Sequence, residues 1–346
     1  GGGGTVLGDG SISVYNNSLT EHLRNLAKVG VASSSLVSRS KILTVSAHEF
    51  WRARLSVIRV ISVDWVISTG VGLMSLSRQV VISLSIFFGI SALSSASQID
   101  VTAPAAEIGH GLVQGYLHDQ KPINSVVFVP VPPDKGSKWQ AADDAISQDT
   151  MKLRGSARWD LAAQDAILTF PEAAGIFQCS LGMKITEERT PALYRLLQRS
   201  LTDFGLATYP AKKAYERPRP FLVNGEDICT PGELELLKTD GSYPSGHSAI
   251  GWGWALVLSQ LAPERAEKIL ARGRSYAQSR IICNVHWKSD TEAGMSVGSA
   301  AFARLQNNAL FQATIAVARE EISQRPGGGA DEKACEAENA ILASGN

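Results

Sequence analysis

The chain has 346 residues, of which 44% are hydrophobic and 19% are charged, so it can bury the core of one or two domains. Its 33 basic and 33 acidic residues balance, which argues against a nucleic-acid binder that works by broad phosphate neutralisation. The four cysteines form no C-x-x-C pair, which argues against a zinc site.

Residues 74–97 have the pattern of a secretory signal peptide. Arg78 is followed by an uncharged apolar run at 80–93 and by small residues at 94–97. The run is short for a membrane span, which takes about 20 apolar residues. The alternatives are a buried core helix and a single anchor. We therefore expect a periplasmic or secreted protein, with no stable membrane anchor after signal cleavage.

Residues 1–73 begin with four glycines, contain no assignable motif and precede the first methionine, Met74. We interpret them as an upstream extension outside the native protein; a genuine disordered leader is the alternative. A folded domain is predicted over 98–325. The tail at 326–346 is rich in glycine, alanine and acidic residues, so we expect it to be disordered.

Helical patterns dominate the folded domain. Thr190-Pro191 is typical of a helix start, and the stretch 250–261 is apolar on nearly all sides, as expected for the central helix of a bundle. Only 125–131 shows a useful period-2 pattern. The predicted helices are 141–153, 157–168, one opened by Pro171, 191–205, 231–237, 250–261, 264–282, 287–305 and 311–322. The predicted fold is all-α, a single-domain helical bundle.

Three short patterns carry candidate chemistry, and each is weak alone. In order they are Lys212 with Arg219-Pro220, then Pro244-Ser-Gly-His247, then Ser279-Arg280 with His286 and Asp290. The glycine-rich turn 241–248 leads directly into the apolar helix, and the first N–H groups of a helix attract anions. With cations before and after this turn, the chain is predicted to hold a phosphate site.

Together, the order and spacing of these patterns resemble the tripartite signature of the type 2 phosphatidic-acid-phosphatase superfamily, which includes vanadium haloperoxidases. The contexts at 241–252 and 278–287 are similar to those of bacterial class A non-specific acid phosphatases, which are secreted. The likeness is strong over 190–320, weaker from 129 and absent from 1–73. It implies a helical bundle of the acid phosphatase/vanadium haloperoxidase type, with 98–325 as the acid phosphatase domain.

The resemblance also implies residue roles. His286 is the nucleophile that forms a phosphohistidine, and His247 is the general acid and then the base. Asp290, four residues after His286, would orient its imidazole. The expected phosphate ligands, which supply guanidinium, ammonium, hydroxyl and backbone donors, are Lys212, Arg219, Ser245, Gly246 and Arg280. No metal and no cofactor are expected.

The implied activity is metal-independent hydrolysis of many phosphomonoesters, nucleotides among them, at mildly acidic pH, with phosphotransfer as a side activity. Small phosphomonoesters are the expected partners, nucleic-acid polymers are not, and a homo-oligomer of two or more copies is expected. The alternatives are a vanadium-dependent haloperoxidase, an apyrase-like hydrolase of nucleoside di- and triphosphates, a lipid phosphatase and a phosphate-binding module without activity.

Two features depend on context. Pro218 predicts that the helix carrying Lys212 breaks by Arg217, so Lys212 and Arg219 need not share one helical face. If the protein is exported, Cys229–Cys283 is the candidate disulfide. Buried or free thiols remain the alternative, and nothing in the sequence constrains a pairing of Cys179 with Cys335.

Trp252, Trp254 and Trp287 are expected in the core, whereas Tyr243 could pack in the turn or line the pocket mouth.

Overall fold

The computed structural model describes residues 100–109, 111–324 and 328–344. The predicted signal segment at 74–97 and the extension at 1–73 lie outside the described residues. Within them, none of the helices combines the length and the apolarity that a bilayer crossing requires.

The described chain begins with little regular structure. Strand β1 (Glu107–Gly109) pairs antiparallel with β2 (Leu112–Val113). The period-2 stretch at 125–131 forms no strand, because a 3₁₀ turn occupies Ser125–Val127. The buried Ser125 hydroxyl accepts a hydrogen bond from the backbone N–H of Ala211 at 3.1 Å, which fixes this turn against the helical body.

Helices account for most of the rest, which confirms the all-α prediction. They are α1 (Lys138–Thr150), α2 (Ala157–Gln164), α3 (Gln178–Leu181), α4 (Pro191–Leu206), α5 (Tyr209–Tyr215), α6 (Pro220–Asn224), α7 (Leu234–Lys238), α8 (Gly246–Leu261), α9 (Ala266–Ile282), α10 (Lys288–Leu305), α11 (Ala309–Ser323) and α12 (Glu332–Ser344). Short 3₁₀ turns lie at Met151–Leu153, Glu172–Gly175, Pro231–Glu233 and Pro263–Arg265.

Helix α8 lies at the centre of the bundle, as its all-round apolar sequence predicts. Trp254 in its middle is fully buried. Glycines let three neighbours approach closely, because a Cβ at Gly251, Gly253 or Gly298 would overlap atoms of α9, α4 or α8 respectively. The contact with α10 matters most for the site, since α8 and α10 begin at the second and third motifs.

The prediction of a disordered tail is wrong over Glu332–Ser344, which forms α12. No residue of α12 is fully buried, although Ile341 and Leu342 are half-buried, so its apolar contact with the rest of the bundle is small. Instead a disulfide joins Cys335 to Cys179, with the two Cα atoms 5.2 Å apart. An ion pair adds to this, because Glu338 accepts from the buried Arg272 at 3.1 Å.

The second disulfide is the predicted one. Cys229 and Cys283 are bonded, with Cα atoms 4.7 Å apart. The backbone N–H of Cys229 also donates to the Cys283 carbonyl at 3.3 Å. This bridge joins the loop after α6 to the end of α9, directly before the segment that carries His286.

Candidate active site

The second motif begins α8. The Ser245 hydroxyl caps the helix by accepting from the N–H of Ser248 at 3.2 Å and from its hydroxyl at 2.9 Å. The backbone N–H of Ser245 donates to the Asp290 carbonyl at 3.0 Å. This N–H therefore cannot donate to an anion, and only the hydroxyl of Ser245 remains as a candidate phosphate ligand. The N–H groups of Gly246 and His247 stand in the first turn, where no intrahelical acceptor exists.

The backbone conformation at position 246 does not require glycine. Its φ is not in the left-handed region. A Cβ would meet only the Thr208 hydroxyl, at an ordinary 3.7 Å. Without a side chain at this position, the N–H groups of the turn stay open to close approach from the cavity.

His247 is half-buried and is held from one side. Its Nε2 lies 3.0 Å from the carbonyl oxygen of Ala166, directly after α2. Because a carbonyl only accepts, Nε2 carries the hydrogen and Nδ1 is the basic nitrogen of the neutral ring. Burial, followed by the positive charge of Arg280, lowers the pKa of His247 well below its usual value.

His286 lies between the carboxylate of Asp290 and the guanidinium of Arg219. Its Nδ1 is 3.4 Å from Oδ2 of Asp290, and its Nε2 is 3.1 Å from Nη1 of Arg219. Nδ1 therefore carries the hydrogen, and the lone pair of Nε2 faces the cations. Burial, then Arg219 and Lys212, lower the pKa of His286 well below its usual value, which favours the neutral ring.

Asp290 is fully buried at the start of α10. Besides His286, its carboxylate accepts from the Ser242 hydroxyl, from the N–H of Trp287 at 2.8 Å and from Arg217 Nη1 at 2.6 Å. Burial raises the pKa of Asp290, and Arg217 acts in the opposite direction. The carboxylate is therefore fixed by several donors and cannot rotate freely.

Arg217 belongs to the candidate site through its contacts, although none of the three motifs assigns it a role. While its Nη1 holds Asp290, its Nη2 donates to Asp143 at 2.8 Å and to Gln140 at 2.6 Å. Asp143 in turn accepts from the N–H of Ser289 at 3.0 Å. The only sequence signal for this role is a second arginine beside Arg219 in the Arg-Pro-Arg-Pro run.

The first motif bends as predicted. Helix α5 ends at Tyr215, Glu216 takes a left-handed conformation with φ of 44°, and α6 begins only after Arg219. Despite this break, Lys212 and Arg219 converge on one carboxylate. Oδ2 of Asp240 lies 3.0 Å from Lys212 Nζ and 2.9 Å from Arg219 Nη2.

Arg280 is the remaining cation of the predicted site. Its side chain is fully buried, and none of its three guanidinium nitrogens has a hydrogen-bond partner within the described residues. An unpaired buried guanidinium carries a large desolvation cost. A bound anion would remove that cost.

These groups meet at a cavity of about 770 Å³. Lys212, Arg219, His247 and His286 lie at its base, together with Gly246. Its outer wall is apolar and partly exposed, formed by Ile167, Leu206, Tyr209 and Leu236. Ser245 and Arg280 do not line this cavity directly but are buried beside it.

A second buried ionic cluster lies behind His247. Asp165 binds both terminal nitrogens of Arg272, at 2.5 and 3.1 Å, and accepts from the Ser279 hydroxyl at 2.6 Å. Arg158 donates to the same hydroxyl at 2.9 Å. Since Asp165 directly precedes Ala166, this cluster fixes the carbonyl that binds His247.

Tyr243 packs in the turn and is not at the pocket mouth. Its hydroxyl donates to the Pro130 carbonyl at 2.6 Å, and the side chain is buried. Trp254 and Trp287 are buried as expected, whereas Trp252 is half-buried and donates to Ser299 at 2.9 Å. Within the described part of the chain, no three His, Cys, Asp or Glu side chains are grouped to hold a metal ion.

Comparisons with known proteins cover the stretch of chain that carries this site. Residues 196–309 match the family profile of the PAP2 superfamily. The chain is 40% identical over 214 residues to a non-specific acid phosphatase of Salmonella typhimurium, and this alignment covers 62% of the chain and 86% of the relative. It is 41% identical over 210 residues to a non-specific acid phosphatase of Providencia stuartii, covering 60% and 85%. An acid phosphatase of Zymomonas mobilis is 39% identical over 199 residues, covering 58% and 75%.

Proposed function

Since the chain belongs to the non-specific acid phosphatases of the PAP2 superfamily, we propose that it hydrolyses phosphomonoesters through a phosphohistidine on His286. The enzyme class itself follows from the family: the chain is an acid phosphatase, and its substrates are small phosphomonoesters. The observation that carries the proposal is the pairing of His286 Nδ1 with Asp290, which leaves Nε2 as the basic nitrogen.

The phosphate is bound by fixed positive charge. Arg280 offers its unpaired guanidinium, and Lys212 and Arg219 lie across the cavity beside His286. The hydroxyl hydrogen of Ser245 and the N–H groups of Gly246 and His247 supply the remaining donors. Such donors stabilise the equatorial oxygens of the phosphoryl group, on which charge is spread in the transition state.

In the first step, Nε2 of His286 attacks phosphorus as the ester oxygen leaves on the opposite side. Asp290 stabilises the positive charge that the ring acquires, because it is hydrogen-bonded to Nδ1. In the second step, water attacks the phosphohistidine in line and releases inorganic phosphate. No metal ion is needed, since the arginines and Lys212 neutralise the transferring group.

His247 moves the proton. Its Nε2 hydrogen is bound by the Ala166 carbonyl, so Nδ1 protonates the leaving alkoxide and later takes a proton from water. Burial keeps the ring neutral in the free enzyme. A bound phosphate brings negative charge next to His247 and raises its pKa, which loads the proton where the leaving group needs it.

Broader features of the activity belong to the same proposal. The apolar outer wall of the cavity suits varied leaving groups, nucleosides among them, and an alcohol in place of water would give phosphotransfer. The signal-like segment at 74–97 and two disulfides support a periplasmic or secreted enzyme. Vanadate should inhibit by mimicking the transferring phosphoryl group. A homo-oligomer stays a prediction.

The test is hydrolysis of p-nitrophenyl phosphate at pH about 5.5, with EDTA, by the wild type and by His286→Ala. We expect full activity with EDTA and a loss of at least about a thousandfold in kcat in the variant. After acid-free quenching, wild-type protein should carry label from ³²P-phosphate ester, and His286→Ala should not. An EDTA-sensitive wild type, or label retained in the variant, would contradict the proposal.

The control is His118→Ala. His118 lies outside the cavity and its ring contacts the Gly115 carbonyl at 3.0 Å. It should keep wild-type kcat and wild-type labelling.

A further inference from the structure

Asp240 is an acidic residue among the cations of the predicted phosphate site, where the three motifs predict only positive charge. Its Oδ2 is 3.0 Å from Lys212 Nζ and 2.9 Å from Arg219 Nη2, and its backbone carbonyl accepts from Arg219 Nε at 2.9 Å. The side chain is 31% exposed and lines the catalytic cavity. Neither the motifs nor the proposed mechanism assigns it a role.

Counting hydrogens shows what this carboxylate does to Arg219. Nε donates to the Asp240 carbonyl, and Nη2 to the Asp240 carboxylate and, at 3.5 Å, to the Gly241 carbonyl. Nη1 donates to the Val285 carbonyl at 2.9 Å and lies 3.1 Å from His286 Nε2. A guanidinium has five hydrogens, and each hydrogen of Arg219 has an acceptor in this structure. The one that faces His286 Nε2 is released when that nitrogen attacks phosphorus, whereas those on Asp240 are released only if the carboxylate moves.

Lys212 is in a similar position, with one difference. Its ammonium donates to Asp240 and to the Gly241 carbonyl, which leaves one of its three hydrogens. The guanidinium of Arg280, in contrast, has no hydrogen-bond partner among the described residues. Arg280 can therefore bind an anion directly, whereas Lys212 and Arg219 are already paired with the Asp240 carboxylate.

We propose that Asp240 is an internal competitor for the phosphate site, whose carboxylate and the substrate phosphate take turns on Lys212 and Arg219. The inference rests on the proposed function, because only there are these two cations phosphate ligands. Asp240 does not touch the reacting atoms and is a positioning residue. It keeps both cations inside the cavity between turnovers, and its charge weakens the binding of inorganic phosphate, which helps the product to leave.

This arrangement suits a broadly specific phosphatase. Without a competitor, three buried cations and the helix start would bind the dianionic product tightly, and release would become slow. A carboxylate that re-forms two ion pairs as phosphate departs offsets part of that binding. The offset acts equally on every substrate, because all of them give the same product.

The test is the inhibition constant of inorganic phosphate for Asp240→Asn, at pH about 5.5, with p-nitrophenyl phosphate as the substrate. The amide keeps the size and one acceptor oxygen but removes the charge. We expect phosphate to inhibit about tenfold more strongly than in the wild type, or about 1.4 kcal/mol. The KM should fall with it, while the variant still hydrolyses the substrate.

Glu235→Gln is the control. Glu235 lies five residues before Asp240 and also loses one negative charge, but it is exposed, accepts from Lys238 at 2.6 Å and does not line the cavity. Its inhibition constant should stay within about twofold of the wild type. Equal tightening in the two variants, or no tightening in Asp240→Asn, would overturn the proposal.

A measurement on the wild type covers the case in which Asp240→Asn does not fold. In a crystal structure of the vanadate complex, the Asp240 carboxylate should lie beyond hydrogen-bond distance of Arg219 Nη2. A carboxylate that remains on both cations would overturn the proposal even if His286→Ala abolishes activity. Loss of the phosphohistidine would instead overturn the proposed function, so the two failures are distinct.

Discussion

Through Asp290, the orientation of His286, the proposed nucleophile, depends on groups outside the cavity. The Asp290 carboxylate is held by Ser242, by the N–H of Trp287 and by Arg217, and Arg217 is itself anchored to Asp143. Four buried groups thus set the direction of one imidazole. Because both carboxylates share one guanidinium, removal of Arg217 would leave two uncompensated buried charges.

We predict that Arg217→Ala lowers the free energy of unfolding by about 3–5 kcal/mol, as expected for breaking a buried ion pair. Arg217→Lys should fold but lose about tenfold in kcat, because an ammonium cannot bridge Asp143 and Asp290 as the guanidinium does. Denaturant unfolding and p-nitrophenyl phosphate kinetics measure both. Arg154→Ala, which breaks a surface pair with Glu226, should cost less than about 1 kcal/mol. Similar losses in Arg217→Ala and Arg154→Ala would refute the prediction.

We predict that phosphate binds more weakly at alkaline pH, because Lys212 loses its charge there. Burial, followed by the charge of Arg219, lowers its pKa to about 8. The group is charged below that value and neutral above it, so affinity for inorganic phosphate should fall as the pH rises through about 8. Lys212→Arg stays charged throughout, so the ratio of its dissociation constant to that of the wild type should decrease over this range.

Isothermal titration calorimetry between about pH 7 and pH 9 measures these constants, and the same ligand in both proteins cancels the titration of phosphate itself. Lys213→Arg, an exposed change on the same helix, should track the wild type. A constant ratio for Lys212→Arg would show that Lys212 does not titrate in this range.

The sequence predicts the residues whose type the reaction dictates, such as His247, His286 and Arg280. It does not predict Asp143 or Asp240, because an acidic residue is common and its partner is known only after folding. Asp143 lies 74 residues from Arg217 and 146 from Ser289. Asp240 directly precedes the glycine-rich turn, but a carboxylate is not an expected ligand of an anion, so its type gives no signal for the site.

At the scale of elements, the site depends on how closely α10 approaches the start of α8. The Ser245 N–H donates to the Asp290 carbonyl, and Gly294 one turn later lies against the Ser245 carbonyl. His247 and His286, the proposed general acid and nucleophile, therefore lie at two helix starts in direct contact. Sequence periodicity gives the helices but not this contact, which requires a missing side chain at one position.

We predict that Gly294→Ala is destabilising by about 1–3 kcal/mol, because its Cβ would overlap the Ser245 carbonyl and lie 3.0 Å from Ser248 Cβ. The turn would have to shift, so kcat/KM should also fall by about tenfold or more. Thermal unfolding and kinetics measure the two effects. Gly175→Ala is the control, since a Cβ there meets nothing within 4 Å. Wild-type kcat/KM in Gly294→Ala would show that the turn is not set by this contact.

At the scale of the molecule, the helical bundle was predictable because its helices are apolar or capped, whereas α12 was not. That helix has no buried residue, and its position depends on Cys335 reaching Cys179, 156 residues away, and on Glu338 reaching Arg272. Its ion pair joins the cluster of Asp165 behind His247. The tail is therefore connected to the region of the site through the ion pairs of Arg272 with Glu338 and Asp165.

We predict that Cys335→Ser lowers the free energy of unfolding by about 2–4 kcal/mol, the usual effect of losing a disulfide that closes a long loop. Cys179→Ser should give the same loss, and KM should stay within about twofold in both, because neither residue lines the catalytic cavity. Unfolding with and without dithiothreitol measures the effect. Unequal losses in the two variants would mean that a free thiol, and not the missing bridge, causes the change.

The Cys179–Cys335 bond has a practical consequence for handling the protein. Cleavage of one peptide bond between Ser323 and Glu332 would separate α12 from the rest of the chain in sequence but not in covalent structure. Such nicked protein would run as one band on a non-reducing gel and as two on a reducing gel. A preparation that looks intact without reductant can thus hold a cut chain, and mass spectrometry would find it heavier by one water.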